Sequence, residues 1–203
     1  KNELATLAWS LWAELGVSGW TRHHSDWMVD PEALVVLTAW LGDFDARLRD
    51  EVTDWCIQYG SWLSATRLSN LLSTASEHTR ANFGELAATV AAHSSLRWRG
   101  ATTPRDFKPM NRSRLESFQK ASLVELRLRA ILGVGARAEV MRLLLATPTV
   151  SHSVLDLVQD SGFKKRNVAD VLESLRLGGA LDAQRTRNQG RYRLRDVTAC
   201  CAL

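Results

Sequence analysis

The chain of 203 residues is 45% hydrophobic and 24% charged, with 26 Lys/Arg against 22 Asp/Glu for a formal net charge of +4. That composition supplies real cores and excludes a disordered or low-complexity protein, and no run of about 18 apolar residues is present to form a membrane span. Three cysteines, Cys56 and the terminal pair Cys200-Cys201, make no disulfide framework, so the expected compartment is the cytoplasm.

All eight tryptophans (Trp9, Trp12, Trp20, Trp27, Trp40, Trp55, Trp62 and Trp98) precede residue 100. The uneven placement predicts two independently packed units in a mainly α chain. The expected division is a Trp-rich helical domain over 1–100, a linker over 101–112, a connecting helix over 113–135, a second domain over 136–197 and a tail over 198–203.

Leu4, Leu7, Ala8, Leu11, Trp12 and Leu15 recur at helical spacing and predict an amphipathic helix over the first sixteen residues, stopped by Gly16. Val17 to Val29 reads as a loop. Its His23-His24-Ser25-Asp26 run invites a metal or acid–base reading. Adjacent histidines point apart, however, and no third ligand follows at a recognisable spacing, so a solvated polar loop is the better account. Asp30-Pro31 is an N-cap followed by proline at the first helical position, and the helix it opens is apolar nearly all round until Gly42. Asp45 begins another, with Leu48, Val52, Trp55, Cys56 and Tyr59 as its stripe and Arg47, Arg49, Asp50, Glu51 and Asp54 as its wet face. Ser64 caps a third, with Leu68, Leu71 and Leu72 inward and Arg67 and Asn70 outward.

Ala81 to His93 is a further helix. Arg97-Trp98-Arg99 alternates like a strand and is a candidate small wing; basic residues around an aromatic also suit nucleic acid, which makes Arg97 and Arg99 secondary candidates. Pro104 and Pro109 mark Gly100 to Asn111 as linker. Ser113 to Leu132 then reads as a long helix, with Leu115, Phe118, Ser122, Leu126 and Arg129 on one face. Pairing of that helix with its copy in a homodimer stays open, although no clean heptad demands it.

From Ala136 the pattern is helix, helix, helix, hairpin. Ala136 to Ala146 carries Val140, Leu143 and Leu144 and stops before Pro148. Ser151 or Ser153 caps a second helix that Gly162 ends. Lys164 to Leu177 repeats the apolar spacing at Val168, Val171, Leu172 and Leu175, which leaves Lys164, Lys165, Arg166 and Asn167 on a cationic first turn. Cations are disfavoured at a helix N-terminus, so their presence there suggests an external anion. Leu181 to Leu194 alternates as a hairpin, with Arg191, Arg193 and Arg195 opposite Tyr192 and Leu194, and with Gly190 in the turn offering a positive backbone angle. Lys164 to Arg195 holds nine Lys/Arg against three Asp/Glu, a net of +6, so the rest of the chain stands at −2. Such a local excess suits duplex DNA, with about one phosphate per 1.7 Å of axis.

This segment resembles a winged helix-turn-helix domain of the kind found in bacterial transcription regulators, with Lys164 to Leu177 in the place of the recognition helix and the hairpin as the wing. The resemblance implies a regulator that binds double-stranded DNA, a repressor in the first instance. The candidate contacts are Lys164, Lys165, Arg166 and Asn167 on the helix and Arg185, Arg187, Asn188, Arg191 and Arg193 on the wing. Arg166 and Asn167 suit base edges, and the lysines and wing arginines suit phosphates. The helix, helix, turn, helix order of the N-terminal half repeats this layout, so a degenerate helix-turn-helix there stays open.

The two-part chain is also similar to the AbiE-type antitoxins, which join a winged DNA-binding domain to a domain that counters a nucleotidyltransferase toxin. That likeness implies autoregulation, a toxin partner at the N-terminal domain's exposed tryptophans, and Arg67 and Asn70 as further DNA candidates. The alternative reading is a non-catalytic adaptor whose winged domain docks a protein. An enzyme is not expected, because no Gly-rich phosphate loop, metal spacing or nucleophilic triad is visible; no cofactor and no metal are expected either.

Overall fold

Apolar residues at three- and four-residue spacing and well-placed caps produce a mainly helical chain with one small antiparallel sheet. The computed structural model describes residues 2–19, 24, 27–186 and 189–195, excluding the side chains of 185, 186 and 189. The chain divides into two units, Lys1–Leu126 and Arg127–Leu203.

The first unit contains α1 (Asn2–Glu14), α2 (Pro31–Leu41), α3 (Ala46–Tyr59), α4 (Ala65–Leu72) and α5 (Glu77–His93). Its described residues form no strand, so Arg97-Trp98-Arg99 is not a wing there. The alternation is real nonetheless: Trp98 is buried and stacks on Phe83 at 6.0 Å, while Arg97 and Arg99 are exposed. The caps act as their chemistry dictates. Asp30, Asp45 and Ser64 each accept the backbone N–H three residues on, which satisfies a donor that the first helical turn cannot. Gly42, with φ 55°, ends α2.

Trp12 and Trp55 form the centre of this core, fully buried and edge to face at 5.2 Å. Their indole N–H groups donate to Thr38 Oγ1 at 2.9 Å and to the Leu15 carbonyl at 2.8 Å, so burial leaves no donor stranded. Removing about 150–250 Å² of each from water stabilises by roughly 4–6 kcal/mol at most. Trp98 is buried too, Trp9, Trp40 and Trp62 are half-buried, and Trp20 lies outside the described residues. Of the described tryptophans only Trp27 is exposed, so the described residues do not form the expected tryptophan-lined partner surface. On α1 the buried stripe runs through Ala5, Ala8 and Trp12, and Leu4 is exposed.

Two expectations fail for one reason. Residues 101–112 are not a free linker, and Ser113 to Leu132 is not one long helix; the helix there, α6, spans only Val124–Leu132. Backbone groups of both stretches are hydrogen-bonded to the first unit instead. Thr102 N–H donates to the Gly84 carbonyl, and Arg105 N–H to Thr89 Oγ1. The Asp54 carboxylate, expected on a wet face, is buried and accepts the successive N–H groups of Met110, Asn111 and Arg112 at 2.7, 3.0 and 3.1 Å. Arg114 N–H then donates to the Gly16 carbonyl at 2.8 Å, and a Cβ on Gly16 would sit 2.0 Å from the Arg114 carbonyl oxygen. The segment is a strap across the first unit, and the division between units falls within α6.

The second unit contains α7 (Ala136–Ala146), β1 (His152–Ser153), α8 (Val154–Ser161), α9 (Lys165–Leu177), β2 (Leu181–Thr186) and β3 (Gln189–Leu194). The sheet order is β1-β3-β2, antiparallel throughout, with Leu181 opposite Leu194 and His152 opposite Tyr192. Val140, Leu144, Leu157, Val168, Leu172, Leu181 and Leu194 make its own core. Ser153 and Asp156 complete a capping box on α8, and Gly162 closes it in the left-handed conformation. Gly190 does not take the positive φ expected of it; it pairs in β3 with Arg185, and a Cβ there would meet the Tyr192 ring at 3.2–3.4 Å.

Candidate nucleic-acid interface

The position of α9 follows from its apolar side. Val168 and Leu172 are fully buried and Val171 and Leu175 half-buried, which turns Arg166, Asn167, Asp170, Glu173 and Ser174 to solvent. Phe163, buried just before the helix, anchors its start. Lys164 is the N-cap residue rather than a helical one; its backbone is extended and its side chain makes no capping bond. The first turn holds no acid, whereas α1, α2, α5, α6, α7 and α8 each place one there.

Lys164, Lys165, Arg166 and Asn167 are thus brought together, all exposed. The Arg166 side chain is 93% exposed and lies 3.9 Å from Asp170, itself 74% exposed, a spacing at which water screens most of the attraction. Neither lysine has a side-chain partner among the described residues. The turn therefore concentrates positive charge at the end of a helix whose own dipole is positive, an arrangement stable only because water solvates it and suited to receive an anion. Further along, Arg176 is clasped by both carboxylate oxygens of Glu173 at 2.7 and 2.8 Å; the pairing lowers the Glu173 carboxyl and raises Arg176.

The hairpin arginines separate into different roles. Arg191 and Arg193 lie on the exposed face of β3, opposite the buried Leu194, and Arg195, just past the end of the strand, is exposed as well. Arg191 donates to the Ser151 carbonyl at 3.0 Å and so fastens β3 to the segment leading into α8. Arg195 donates to Asp182 at 2.9 Å across the hairpin. Arg193 has no side-chain partner among the described residues. Arg185 lies on β2, its side chain undescribed, and Arg187 and Asn188 lie outside the described residues. Sequence reasoning missed the Arg191 tether because β1 is two residues long, too short for any period to show.

The secondary candidates do not form a second basic surface. Arg67, expected to point outward, is 2% exposed. Its guanidinium donates to Asp30 at 2.6 Å and to Glu32 at 3.0 Å, within a group in which Asp30, Glu32 and Glu125 bring carboxylate oxygens within 4.8 Å of one another. Asn70, three residues on, is half-buried, its carbonyl accepting from Ser73. Arg97 spends its guanidinium on the carbonyls of Ala91, Ser94 and Leu96 at the end of α5. Only Arg99 stands exposed without a partner among the described residues.

In the loop before α2, His24 hydrogen-bonds Ser10 at 2.6 Å and stacks on Trp27, while its backbone N–H donates to Glu14. His23, Ser25 and Asp26 lie outside the described residues. No helix among the described residues is long and apolar enough to cross a membrane. No family model, curated protein or solved structure matches the chain.

Proposed function

We propose that the second unit is a winged helix-turn-helix module that binds double-stranded DNA, with α9 as the recognition helix and the β2–β3 hairpin as the wing. The observation that carries this reading is the start of α9: two lysines, an arginine and an asparagine, all exposed, with no acid in the first turn to neutralise them. In this arrangement Arg166 and Asn167 reach base edges in the major groove, while Lys164, Lys165 and Arg193 hold phosphates. Arg191 and Arg195 shape the wing rather than grip the duplex, since each already holds a partner within the unit. The regulatory role, as a repressor or an autoregulating antitoxin, rests on the resemblance given above and follows only if a DNA site is bound specifically.

The test is selection from a random duplex pool with the full chain, followed by fluorescence anisotropy on the enriched sequence at several salt concentrations. A specific complex is expected, with log affinity falling linearly in log salt by about 0.9 per phosphate held. Replacing Lys164, Lys165 and Arg166 together by alanine should flatten that slope. Failure to enrich any sequence, or a slope unchanged in the triple variant, rejects the reading and favours a protein-docking role for the same face.

A further inference from the structure

We propose that the first unit carries a docking groove for an acidic peptide segment bearing one large apolar side chain, supplied by a partner protein. The groove lies between the end of α4, the first turns of α5 and the turn at residues 99–102, and encloses about 430 Å³. That volume accommodates one or two large side chains. Leu72 and Phe83 form its buried floor, with Ala81 on one wall.

The turn wall is built rather than incidental. Gly84 has no Cβ, and one placed there would fall 2.7 Å from the Gly100 carbonyl oxygen and 2.8 Å from Thr102; its absence lets the returning chain lie directly on α5, where Thr102 N–H donates to the Gly84 carbonyl. Gly100, with φ +86°, makes the turn that presents Arg99 to the groove.

The walls carry Arg80 and Arg99 against one acid, Glu77. Arg80 spends one donor on the Ala75 carbonyl. Arg99 is exposed and has no partner among the described residues. A mostly apolar trough with surplus guanidinium charge on its walls complements a carboxylate-bearing, apolar ligand. It does not complement a nucleic-acid strand, which needs an open aromatic face: the Phe83 ring is 1% exposed and stacked on Trp98. Arg97, committed to three carbonyls of α5 and the turn that follows, adds nothing to a phosphate track.

The experiment is peptide display from a random dodecamer library against the immobilised full chain, with selected peptides synthesised and measured by fluorescence polarisation beside a labelled oligo-dT strand. Selected peptides should share a Leu, Phe or Met flanked by Asp or Glu. Binding should weaken about tenfold in Arg99→Glu, which reverses a wall charge, and should be lost in Ala81→Trp, which fills the trough. Both positions are exposed, and circular dichroism should show both variants folded. Selection of no peptide, retention of binding in both variants, or Arg99-dependent binding of oligo-dT in preference to the peptides overturns the proposal. Duplex binding through α9 should be unchanged in either variant, which separates the two functional readings.

Discussion

Two helices, each third in a helix-helix-helix run, carry their basic residues to opposite fates. On α4, Ser64 caps the helix, and Arg67 is drawn inward between Asp30 and Glu32, both from the start of α2. On α9 no side chain caps the helix, no carboxylate stands in the first turn, and Lys164, Lys165 and Arg166 remain in water. A basic residue at a helix start is thus structural or available to a partner according to whether the fold brings an acid to it. The local helical pattern does not distinguish the two cases, because the deciding carboxylates on α2 are more than thirty residues away in sequence.

The sharpest way to break that contrast is to remove Arg67. Arg67→Ala strands the carboxylates of Asp30 and Glu32, the latter fully buried, and should destabilise the first unit by about 3–5 kcal/mol in urea denaturation followed by tryptophan fluorescence, a probe confined to that unit. Duplex binding by molecules that remain folded should persist. A loss below about 1 kcal/mol, or a DNA defect in the folded protein, would place Arg67 with the α9 residues instead.

Asp54 extends the same lesson from cations to anions. Expected on the wet face of α3, it is instead buried and gathers three consecutive N–H groups of the strap. Asp54→Ala should cost about 1–3 kcal/mol and speed amide hydrogen exchange selectively at Met110, Asn111 and Arg112. Uniform acceleration across the first unit would show that the strap has no separate opening.

What was legible in the sequence was whatever local chemistry decides. Asp30-Pro31, Asp45 and Ser64 announced their helices because a cap needs only its next three residues, and Gly16, Gly42 and Gly162 announced the stops. The apolar periods of α3 and α9 identified their buried faces. What stayed hidden required a distant partner: Gly16 receiving Arg114, Asp54 receiving the strap, and β1 pairing with β3 across about forty residues. The helix expected from Ser113 does not form there; Arg114 and Leu115 instead donate to Gly16 and Tyr59, distant partners that fasten the segment to the first unit. For the candidate interface, the exposed turn of α9 could be read directly from spacing. The division of labour among Arg191, Arg193 and Arg195 could not, since Ser151 becomes a neighbour only through the sheet.

At α9 the contrast predicts the reverse of the Arg67 result. The triple alanine variant at Lys164, Lys165 and Arg166 should change stability by no more than about 0.5 kcal/mol while the salt slope of DNA binding falls by about 0.9 for each phosphate contact removed. Asn167→Ala should cost about 1–3 kcal/mol on the preferred duplex and little on a random one. Within the wing, Arg193→Ala should lower the salt slope, and Arg191→Ala should instead loosen β3, seen as faster amide exchange at Tyr192 and Leu194. Equal effects on the slope would dissolve the distinction between the two arginines.

The smallest effect concerns Asp156, the acid that α8 has and α9 lacks. The Ser153 N–H bonded to its carboxylate, with Arg191 nearby, holds the carboxyl below its usual range. A carboxyl lowered on folding contributes stability that is complete above the ordinary Asp value, about 3.9, and disappears as pH falls through the lower folded value. Asp156→Asn should therefore destabilise the second unit by no more than about 0.3–1 kcal/mol near neutrality, because water screens the exposed carboxylate, and the gap from the unaltered chain should close as pH falls below the ordinary Asp value. Amide exchange in α8 and β3 measures this without interference from the tryptophans, all of which lie in the first unit. If the gap persisted in acid, the carboxylate would be acting through shape, and the difference between the two helix starts would owe nothing to charge.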